Sequence, residues 1–231
     1  MKTLTIDIGG TGIKMIELDA DGQAVGDRHR ELTPKPAEPE PVLQVIARML
    51  KEHEGYDRVS VGFPGVVKHG TVHTAPNLGT EAWAGTDLQS RIAALTGKPT
   101  RVMNDAELQG FGVIEGKGVE MVLTFGTGLG TALYVDGRLV PNLELGHHPL
   151  EDDCTYEDLV RDDELERIGK KKWRKRVALV VETLDRIFNY DRLYVGGGNA
   201  DKLDQPLPDR CELFSNVDGM EGGAALWRHE G

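Results

Sequence analysis

The chain has 231 residues, which suits one large domain or two small ones. Its longest uninterrupted apolar run, residues 177–181, is far shorter than the ~20 residues that span a bilayer, and the first residues lack the apolar stretch of a signal peptide. The net charge of −11 disfavours nonspecific binding to nucleic acid or anionic lipid. We therefore expect a cytoplasmic globular protein whose partners include no membrane and no nucleic-acid polymer.

The N-terminal elements form a predicted three-stranded meander with a glycine-rich first turn. An apolar strand over residues 3–7 leads into the turn 8–12, a second strand covers 13–18, the turn 19–22 ends it, and a third strand begins at Ala24. The elements predicted next are a helix at 42–53, a strand at 58–63, a helix at 87–95 capped by Thr86 or Asp87, a strand at 100–103 and a helix from Asp105.

The same order of strands and turns recurs in the second half. A strand at 121–125, a glycine-rich turn at 126–130 and strands at 131–135 and 138–143 repeat the meander, and Gly126 follows Gly9 by 117 residues (126 − 9), half of the chain. The remaining predicted elements are a helix at 173–188, strands at 192–195 and 211–214 and a closing helix at 220–229. We expect two copies of one α/β unit with a β-β-β-α-β-α order.

The two glycine-rich turns are candidates for phosphate binding. A hairpin dense in glycine leaves backbone N–H groups uncovered and admits an anion without interference from Cβ atoms. The alternative, that both are tight structural hairpins, stays open. Neither turn is a P-loop, and the second does not complete G-x-G-x-x-G because Thr131 stands at the third glycine position, so a P-loop kinase and a Rossmann dehydrogenase are disfavoured.

An ordered set of short segments resembles one family. These segments are Asp7-Ile-Gly-Gly-Thr-Gly-Ile-Lys14, Asn104-Asp105, Gly126-Thr-Gly-Leu-Gly130, Glu144-Leu-Gly-His147 and Gly196-Gly-Gly198. Their order and spacing resemble the ROK sugar kinases, members of the actin-like ATPase (ribonuclease H-like) superfamily. Within that family the chain most resembles the polyphosphate glucokinases, through Thr33-Pro-x-Pro-Ala37 and the basic segment 171–176.

The resemblance implies an α/β fold of two ribonuclease H-like domains around a central cleft. The expected domains are residues 1–109 together with a C-terminal helix at 219–231, and residues 110–218. The implied activity is transfer of a phosphoryl group from polyphosphate, ATP or both to the 6-hydroxyl of glucose, with Mg²⁺ as cofactor. An ATP-dependent kinase for another hexose and a non-catalytic sugar-binding protein stay open as alternatives. Dimers are common among relatives, so a homodimer is a further expectation.

Two carboxylates are the candidate reaction centre. Asp105 follows a strand and opens a helix, and the resemblance implies that it accepts the proton of the sugar 6-hydroxyl; a helix N-cap is the alternative role. Asp7 lies inside an apolar strand, where an unpaired charge is costly. The resemblance implies that Asp7 approaches the Mg²⁺–phosphate group, often through water.

The resemblance also assigns binding residues. The implied sugar contacts are Asn77, Asn104, Asp105, Glu144 and His147. The implied donor contacts are Asp7, Gly9, Gly10, Thr11, Gly12, Lys14, Gly126, Thr127, Gly128, Gly130, Gly197 and Gly198. For Lys14 the alternative is a solvent-facing position on its strand.

Two departures from the family pattern concern metal and sugar. Typical members carry a cysteine-rich zinc segment after the histidine, whereas here only Cys154 remains nearby, so no zinc is expected and Cys154 and Cys211 are predicted to be reduced thiols. Polyphosphate glucokinases usually place a glutamate two residues after the histidine. This chain has Pro149 there, with Glu151 two residues further, so the identity of the sugar is open.

Opposite charges are concentrated in two adjacent segments. Residues 151–166 hold nine acidic side chains, and six of the seven residues 170–176 are basic. Two solvated helix faces that partly neutralise each other are one interpretation. The other is that the basic segment attracts a polyanionic donor such as polyphosphate, in which case salt weakens the attraction.

Overall fold

The computed structural model describes residues 1–151, 154–203 and 210–228, without the side chains of residues 151 and 216–218. Asp152 and Asp153 of the acidic segment and residues 229–231 of the predicted closing helix lie outside the described residues. The chain divides into two units: Met1–Gly112 with Val217–Gly231, and Val113–Asn216. No helix in the described ranges is long and apolar enough to cross a membrane.

Each unit begins with three consecutive strands, and helices follow. The strands are β1 (Thr3–Ile8), β2 (Gly12–Leu18), β3 (His29–Leu32), β4 (Arg58–Phe63), β5 (Val67–Lys68), β6 (Thr71–Val72), β7 (Thr100–Asn104), β8 (Val119–Phe125), β9 (Leu129–Val135), β10 (Arg138–Val140), β11 (Pro149–Glu151), β12 (Cys154–Thr155), β13 (Arg192–Gly196) and β14 (Cys211–Leu213). The α-helices are α1 (Pro39–Met49), α2 (Thr80–Trp83), α3 (Leu88–Thr96), α4 (Asp105–Gly110), α5 (Tyr156–Val160), α6 (Asp162–Ile168), α7 (Lys170–Phe188) and α8 (Asn216–Ala225). Short 3₁₀ helices lie at Leu50–Glu52, Leu145–His147 and Ala200–Lys202.

The first unit is built on a five-stranded sheet in the order β3-β2-β1-β4-β7. β1 and β4 and also β4 and β7 pair in parallel, while the β1–β2 and β2–β3 pairs are antiparallel. The alternation of side chains along β1 places Leu4, Ile6 and Ile8 in one hydrophobic core with the buried face of α1. Its other face carries Thr3 and Thr5 and is also buried.

Helix α8 returns to the first unit through small residues. A Cβ on Gly223 would overlap the side chain of Thr5, so only glycine allows this approach of α8 to the sheet. The hydroxyl of Ser60 donates to the Gly223 carbonyl oxygen at 2.6 Å and accepts from the indole N–H of Trp227 at 2.8 Å. The guanidinium of Arg101 lies over the Trp227 ring, 4.6 Å from its centroid.

The second unit repeats the topology of the first. Its sheet has the order β10-β9-β8-β13-β14, again with two antiparallel pairs followed by two parallel pairs. One core joins this sheet to the buried face of α7, where Trp173, Val177 and Leu184 are at most 2% exposed. The predicted duplication is therefore confirmed by matching strand orders.

Some predicted elements were displaced or missing. The third strand of the first meander is β3 rather than a strand from Ala24, which forms only an isolated bridge with Leu18. Asp87 rather than Thr86 caps α3, because its carboxylate accepts the Ser90 N–H at 2.9 Å. Among the described residues no α-helix separates β13 from β14, which agrees with the elements predicted for residues 192–214 but not with a β-β-β-α-β-α order in the second half.

Candidate active site

In the first unit, three parallel strands end at one edge of the sheet. β1 ends at Ile8, β4 at Phe63 and β7 at Asn104. The segments that follow are the glycine hairpin 9–12, the loop around Gly65, and α4. Ligands of open α/β sheets bind outside the carboxyl ends of the strands, so this edge is the expected position of a site.

Asp105 is the first residue of α4, and Asn104 is the N-cap of that helix. The Asn104 Oδ1 accepts the N–H groups of Ala106 at 2.9 Å and Glu107 at 3.2 Å, while its Nδ2 donates to the Gly65 carbonyl oxygen at 3.3 Å. The Asp105 Oδ1 also accepts the Ala106 N–H, at 2.8 Å, which orients the carboxylate. The cap that the sequence offered as an alternative role for Asp105 therefore belongs to Asn104.

Gly62 brings Asp105 close to the sheet. A Cβ on Gly62 would lie 3.3 Å from the Asp105 Cα, so a larger residue would crowd the start of α4. Gly62 is also the register partner of Asp7 on β1. Neighbouring strands are ~4.8 Å apart, so Asp7 lies about one strand away from the position over which Asp105 packs.

Asp7 and Lys14 form a half-buried ion pair across β1 and β2. The Lys14 Nζ lies 2.7 Å from the Asp7 Oδ2, and the two side chains are 24% and 14% exposed, respectively. Lys14 compensates the charge that Asp7 places inside an apolar strand. The side chain of Lys14 therefore faces Asp7 rather than solvent alone.

Asp7 has the chemistry of a magnesium ligand. Among the described residues its Oδ1 has no hydrogen-bond partner. Mg²⁺ takes one or two carboxylates from a protein and completes its shell with water and substrate phosphates, so a single carboxylate fits this ion. No group of three or more His, Cys, Asp or Glu side chains with metal-binding geometry occurs within the described ranges.

The first glycine hairpin presents two adjacent N–H groups. The Gly9 N–H donates to the Gly12 carbonyl oxygen at 3.0 Å, and the Thr33 hydroxyl donates to the Gly9 carbonyl oxygen. Within the part of the chain that is described, the N–H groups of Gly10 and Thr11 have no acceptor. Consecutive N–H groups of this kind make a nest for an anion.

Asn77 lies beside the same hairpin. A Cβ on Gly10 would be 3.6 Å from both the Cβ and the carbonyl oxygen of Asn77, an ordinary packing distance. Asn77 is exposed, in the turn before α2. The structure thus brings a predicted sugar residue next to the predicted phosphate-binding residues within one unit.

The second glycine hairpin has the same pattern of N–H groups. The Gly126 N–H donates to the Gly128 carbonyl oxygen at 3.0 Å, whereas the N–H groups of Thr127 and Gly128 have no acceptor among the described residues. Gly130 lies in β9, opposite Thr124 of β8. Each hairpin therefore offers two neighbouring N–H groups at equivalent positions.

Glu157 reaches the second hairpin, and the sequence did not single it out. Its Oε2 accepts the Leu129 N–H at 2.9 Å and occupies the space that a Cβ on Gly128 would need. The residue lies in α5, whose first turn is fixed by a capping box between Thr155 and Asp158. The capping box is the one sequence signal that marks the start of α5 and so the position of Glu157. The composition of the acidic segment does not distinguish Glu157 from the other acidic residues.

Glu144 and His147 lie on the loop that follows β10. The His147 Nε2 is 3.6 Å from the Glu144 Oε2. A Cβ on Gly146 would come within 2.6 Å of the Leu129 carbonyl oxygen, so glycine allows this loop to pack beside the second hairpin. Burial raises the pKa of the Glu144 carboxyl; His147 opposes that rise and the charge of Glu157 adds to it.

The Gly196-Gly-Gly198 segment begins at the last residue of β13, at the same edge as the second hairpin. Gly197 has φ of +89°, and a Cβ there would collide with the backbone of Phe125, the last residue of β8. The Asn199 N–H donates to the Phe125 carbonyl oxygen at 3.0 Å. Gly198, by contrast, faces open space.

The basic segment forms the first two turns of α7. Lys170, Lys171, Lys172 and Lys175 are exposed, and they form no ion pair among the described residues. Arg176 pairs with Glu164 of α6, so the acidic and basic segments neutralise each other at this pair. No disulfide joins Cys154 and Cys211, and burial raises the pKa of the Cys211 thiol to about 11.

Comparison with known proteins places the chain in a family. A model of the ROK family matches residues 3–158. A polyphosphate glucokinase of Mycobacterium tuberculosis is 36% identical over 213 residues, which cover 88% of this chain and 80% of that protein. An N-acetylmannosamine kinase of Escherichia coli is 30% identical over 161 residues, covering 66% of this chain and 55% of that protein.

Solved structures agree with this assignment. The inorganic polyphosphate/ATP-glucomannokinase of Arthrobacter sp. strain KM has a TM-score of 0.88 at 33% identity and covers 99% of each chain. A ROK family glucokinase of Streptomyces griseus shares the fold, with a TM-score of 0.84 at 19% identity over 98% of this chain and 99% of that one. The predicted fold class, two α/β domains of the actin-like ATPase kind, is confirmed. The chain belongs to the ROK family.

Proposed function

We propose that the chain is a sugar kinase that transfers the terminal phosphoryl group of polyphosphate, ATP or both to the 6-hydroxyl of glucose. The observation that carries the proposal is the carboxyl edge of the first sheet, where Asp105, the Asp7–Lys14 pair and the nest of Gly10 and Thr11 lie on adjacent segments. The named activities of the relatives support the choice of sugar and donor.

Asp105 acts as the general base. Its carboxylate accepts the proton of the 6-hydroxyl, the sugar oxygen bonds to the terminal phosphorus, and the bond from that phosphorus to the bridging oxygen breaks. The products are the sugar 6-phosphate and a polyphosphate shortened by one phosphate, or ADP. The hydrogen bond from the Ala106 N–H holds the carboxylate in place before the sugar arrives, which is the positioning that such a reaction requires.

The hairpins bind the donor phosphates. The N–H groups of Gly10 and Thr11 in the first unit, and of Thr127 and Gly128 in the second, donate to phosphate oxygens, and Lys14 neutralises their charge. Asp7 would hold Mg²⁺, which supplies further neutralisation of the phosphates when it is bound.

Short polar side chains bind the sugar hydroxyls. Asn77 and Asn104 serve this role in the first unit, and Glu144 and His147 in the second. We add Glu157, because its carboxylate lies at the second hairpin and interacts with Glu144. Glu157 would supply the carboxylate that is missing at Pro149.

The test is formation of sugar 6-phosphate by the purified protein with Mg²⁺ and a single donor. Glucose, mannose and N-acetylmannosamine are each supplied with either polyphosphate or ATP, and a reaction without donor is the control. The proposal expects glucose 6-phosphate with polyphosphate or with ATP. Phosphorylation of another sugar but not of glucose would correct the substrate, and no product with any combination would contradict the proposal.

A further inference from the structure

Lys14 has charged neighbours on both sides of its strand. In the register of the first sheet, Asp7 of β1 lies opposite Lys14, and Arg30 of β3 lies opposite Lys14 on the other side. Register partners in a pleated sheet point to the same face, and the Lys14–Asp7 ion pair shows which face this is. Arg30 therefore shares a face with Lys14 and Asp7.

The Arg30 side chain leans toward the glycine hairpin. A Cβ on Gly12 would lie 2.7 Å from the Arg30 Nε and 2.9 Å from its Nη2. The guanidinium thus covers the last residue of the first hairpin, one position beyond Thr11, whose N–H group has no acceptor among the described residues. Because Gly12 has no side chain, the guanidinium can approach the hairpin this closely.

Arg30 carries a charge that the fold itself does not use. It is exposed, and it forms no ion pair within the described ranges. The adjacent Glu31, which points to the opposite face, pairs with Arg48 of α1 instead. Like charges directly opposite each other in a sheet are destabilising, so the placement of Arg30 beside Lys14 opposes stability.

Across the sheet, the charges change sign from one side to the other. Asp105 packs over Gly62, Asp7 is next in the same register row, and Lys14 and Arg30 follow. The negative end holds the proposed base for the sugar hydroxyl. The positive end suits a polyanion that extends away from the sugar.

We propose that Arg30 binds a phosphate group of the donor beyond the one that is transferred, so that the donor chain runs across the sheet from Asp7 towards β3. This inference rests on the proposed function. Two strand spacings separate β1 from β3, about 10 Å, which is too far for a single phosphate group to contact both ends and suits a chain of phosphates. Arginine fits the task because its planar guanidinium can donate two parallel hydrogen bonds to one phosphate.

The test compares Arg30→Gln and Arg30→Lys with the control Arg28→Gln. Arg28 is exposed like Arg30 but lies two residues farther along the chain from the hairpin. Arg28→Gln therefore makes the same change in net charge without removing the guanidinium at the hairpin. Binding of tripolyphosphate is measured by titration calorimetry, and the KM values for polyphosphate, ATP and glucose are measured in the kinase assay.

Arg30→Gln should weaken tripolyphosphate binding and raise the donor KM roughly tenfold, the usual effect of removing a hydrogen bond to a charged group. Arg30→Lys should recover part of this loss, and Arg28→Gln should change neither quantity. The glucose KM should stay within about twofold of the wild-type value in all three variants. If the KM rises for only one of the two donors, that donor is the one whose phosphate chain extends to Arg30.

Wild-type tripolyphosphate binding in Arg30→Gln would overturn the inference even if the protein phosphorylates glucose. A protein that binds no tripolyphosphate at all would overturn it too. If wild-type protein phosphorylates no sugar but loses tripolyphosphate binding in Arg30→Gln alone, the proposed function fails and the phosphate site stands.

Discussion

Glu144 and Glu157 are two interacting carboxylates in the second unit. Burial raises the pKa of Glu144, the charge of Glu157 raises it further, and His147 lowers it. As the pH falls, Glu144 therefore takes up its proton at a higher pH than an exposed glutamate does. If the ionised form of Glu144 binds glucose, the glucose KM should begin to rise within this raised range.

The variant Glu157→Gln tests this electrostatic coupling. Glutamine still accepts the Leu129 N–H, but the negative charge is gone, so the pKa of Glu144 should fall and the acid limb of the profile of glucose KM against pH should move to lower pH. Glu166→Gln, on the exposed side of α6, is the charge-matched control. An acid limb that stays in place or moves to higher pH would contradict the assignment.

The sequence predicted some of these residues better than others. Asp7 stands out in the sequence because its carboxylate interrupts an apolar strand, where a charge needs a partner. Asp105 stands out because it follows a strand and begins a helix. Glu157 was missed, because nine acidic side chains lie within residues 151–166 and composition does not distinguish between them. Only the direction of α5 and its capping box decide which of them meets the hairpin.

Helix α8 supports the helix that carries Asp105. A Cβ on Gly222 would overlap the carbonyl oxygen of Leu108 in α4 and would lie 2.9 Å from the Gly112 nitrogen. Backbone atoms cannot rotate away. A Cβ on Gly219, three residues earlier, would meet only the flexible Gln109 side chain.

These two glycines make a matched pair of variants. Gly222→Ala should destabilise the protein by about 1–3 kcal/mol, as overpacking does, and should lower kcat because α4 moves with Asp105. Gly219→Ala should be neutral or stabilising by up to ~1 kcal/mol, because alanine favours helix more than glycine does. Thermal unfolding midpoints and kcat for glucose check both. Equal midpoints for the two variants would contradict this account of the packing.

Helix α7 begins with positive charge, where a helix favours negative charge. The exposed lysines of its first two turns form no ion pair among the described residues, which favours a polyanion as their partner. Replacing Lys171, Lys172 and Lys175 with Gln should raise the polyphosphate KM more than the ATP KM, because polyphosphate carries more charge. The difference in polyphosphate KM between the wild-type protein and this variant should also shrink as salt is added.

A second triple variant separates a local effect from net charge. Lys51, Lys68 and Lys98 are exposed lysines of the first unit, and replacing them with Gln makes the same change in charge. This variant should leave both donor KM values near those of the wild-type protein. If both triple variants change the polyphosphate KM and the ATP KM by the same factors, α7 has no specific role in binding the donor.

At the level of elements, periodic patterns were predictive and irregular ones were not. β4 was predicted with its observed bounds because Val59, Val61 and Phe63 alternate along it and Pro64-Gly65 ends the pattern. β3 was misplaced because residues 24–32 have no alternation, and its position depends on pairing with β2. The short helices α5 and α6 were missed because an acidic segment has no apolar face long enough to reveal them.

Over the whole molecule, the two copies share their topology but not their chemistry. Both have the same strand order and a glycine hairpin with two N–H groups available to an anion. The residue that follows β7 in the first unit is Asp105, whereas the residue that follows the equivalent strand β14 is Phe214. The repeat could be predicted from the spacing of the turns, but this asymmetry appears only when the strands are matched in the two sheets.

In the proposed reaction, Asp105 is the one base that accepts the proton of the 6-hydroxyl. The most direct test is the rate of glucose 6-phosphate formation by Asp105→Asn, together with glucose binding by calorimetry and the exposed variant Asp21→Asn as control. We predict a loss of roughly 10²–10⁴-fold in kcat, with glucose binding retained and the control unchanged. Turnover by Asp105→Asn near the wild-type rate would show that Asp105 is not the base.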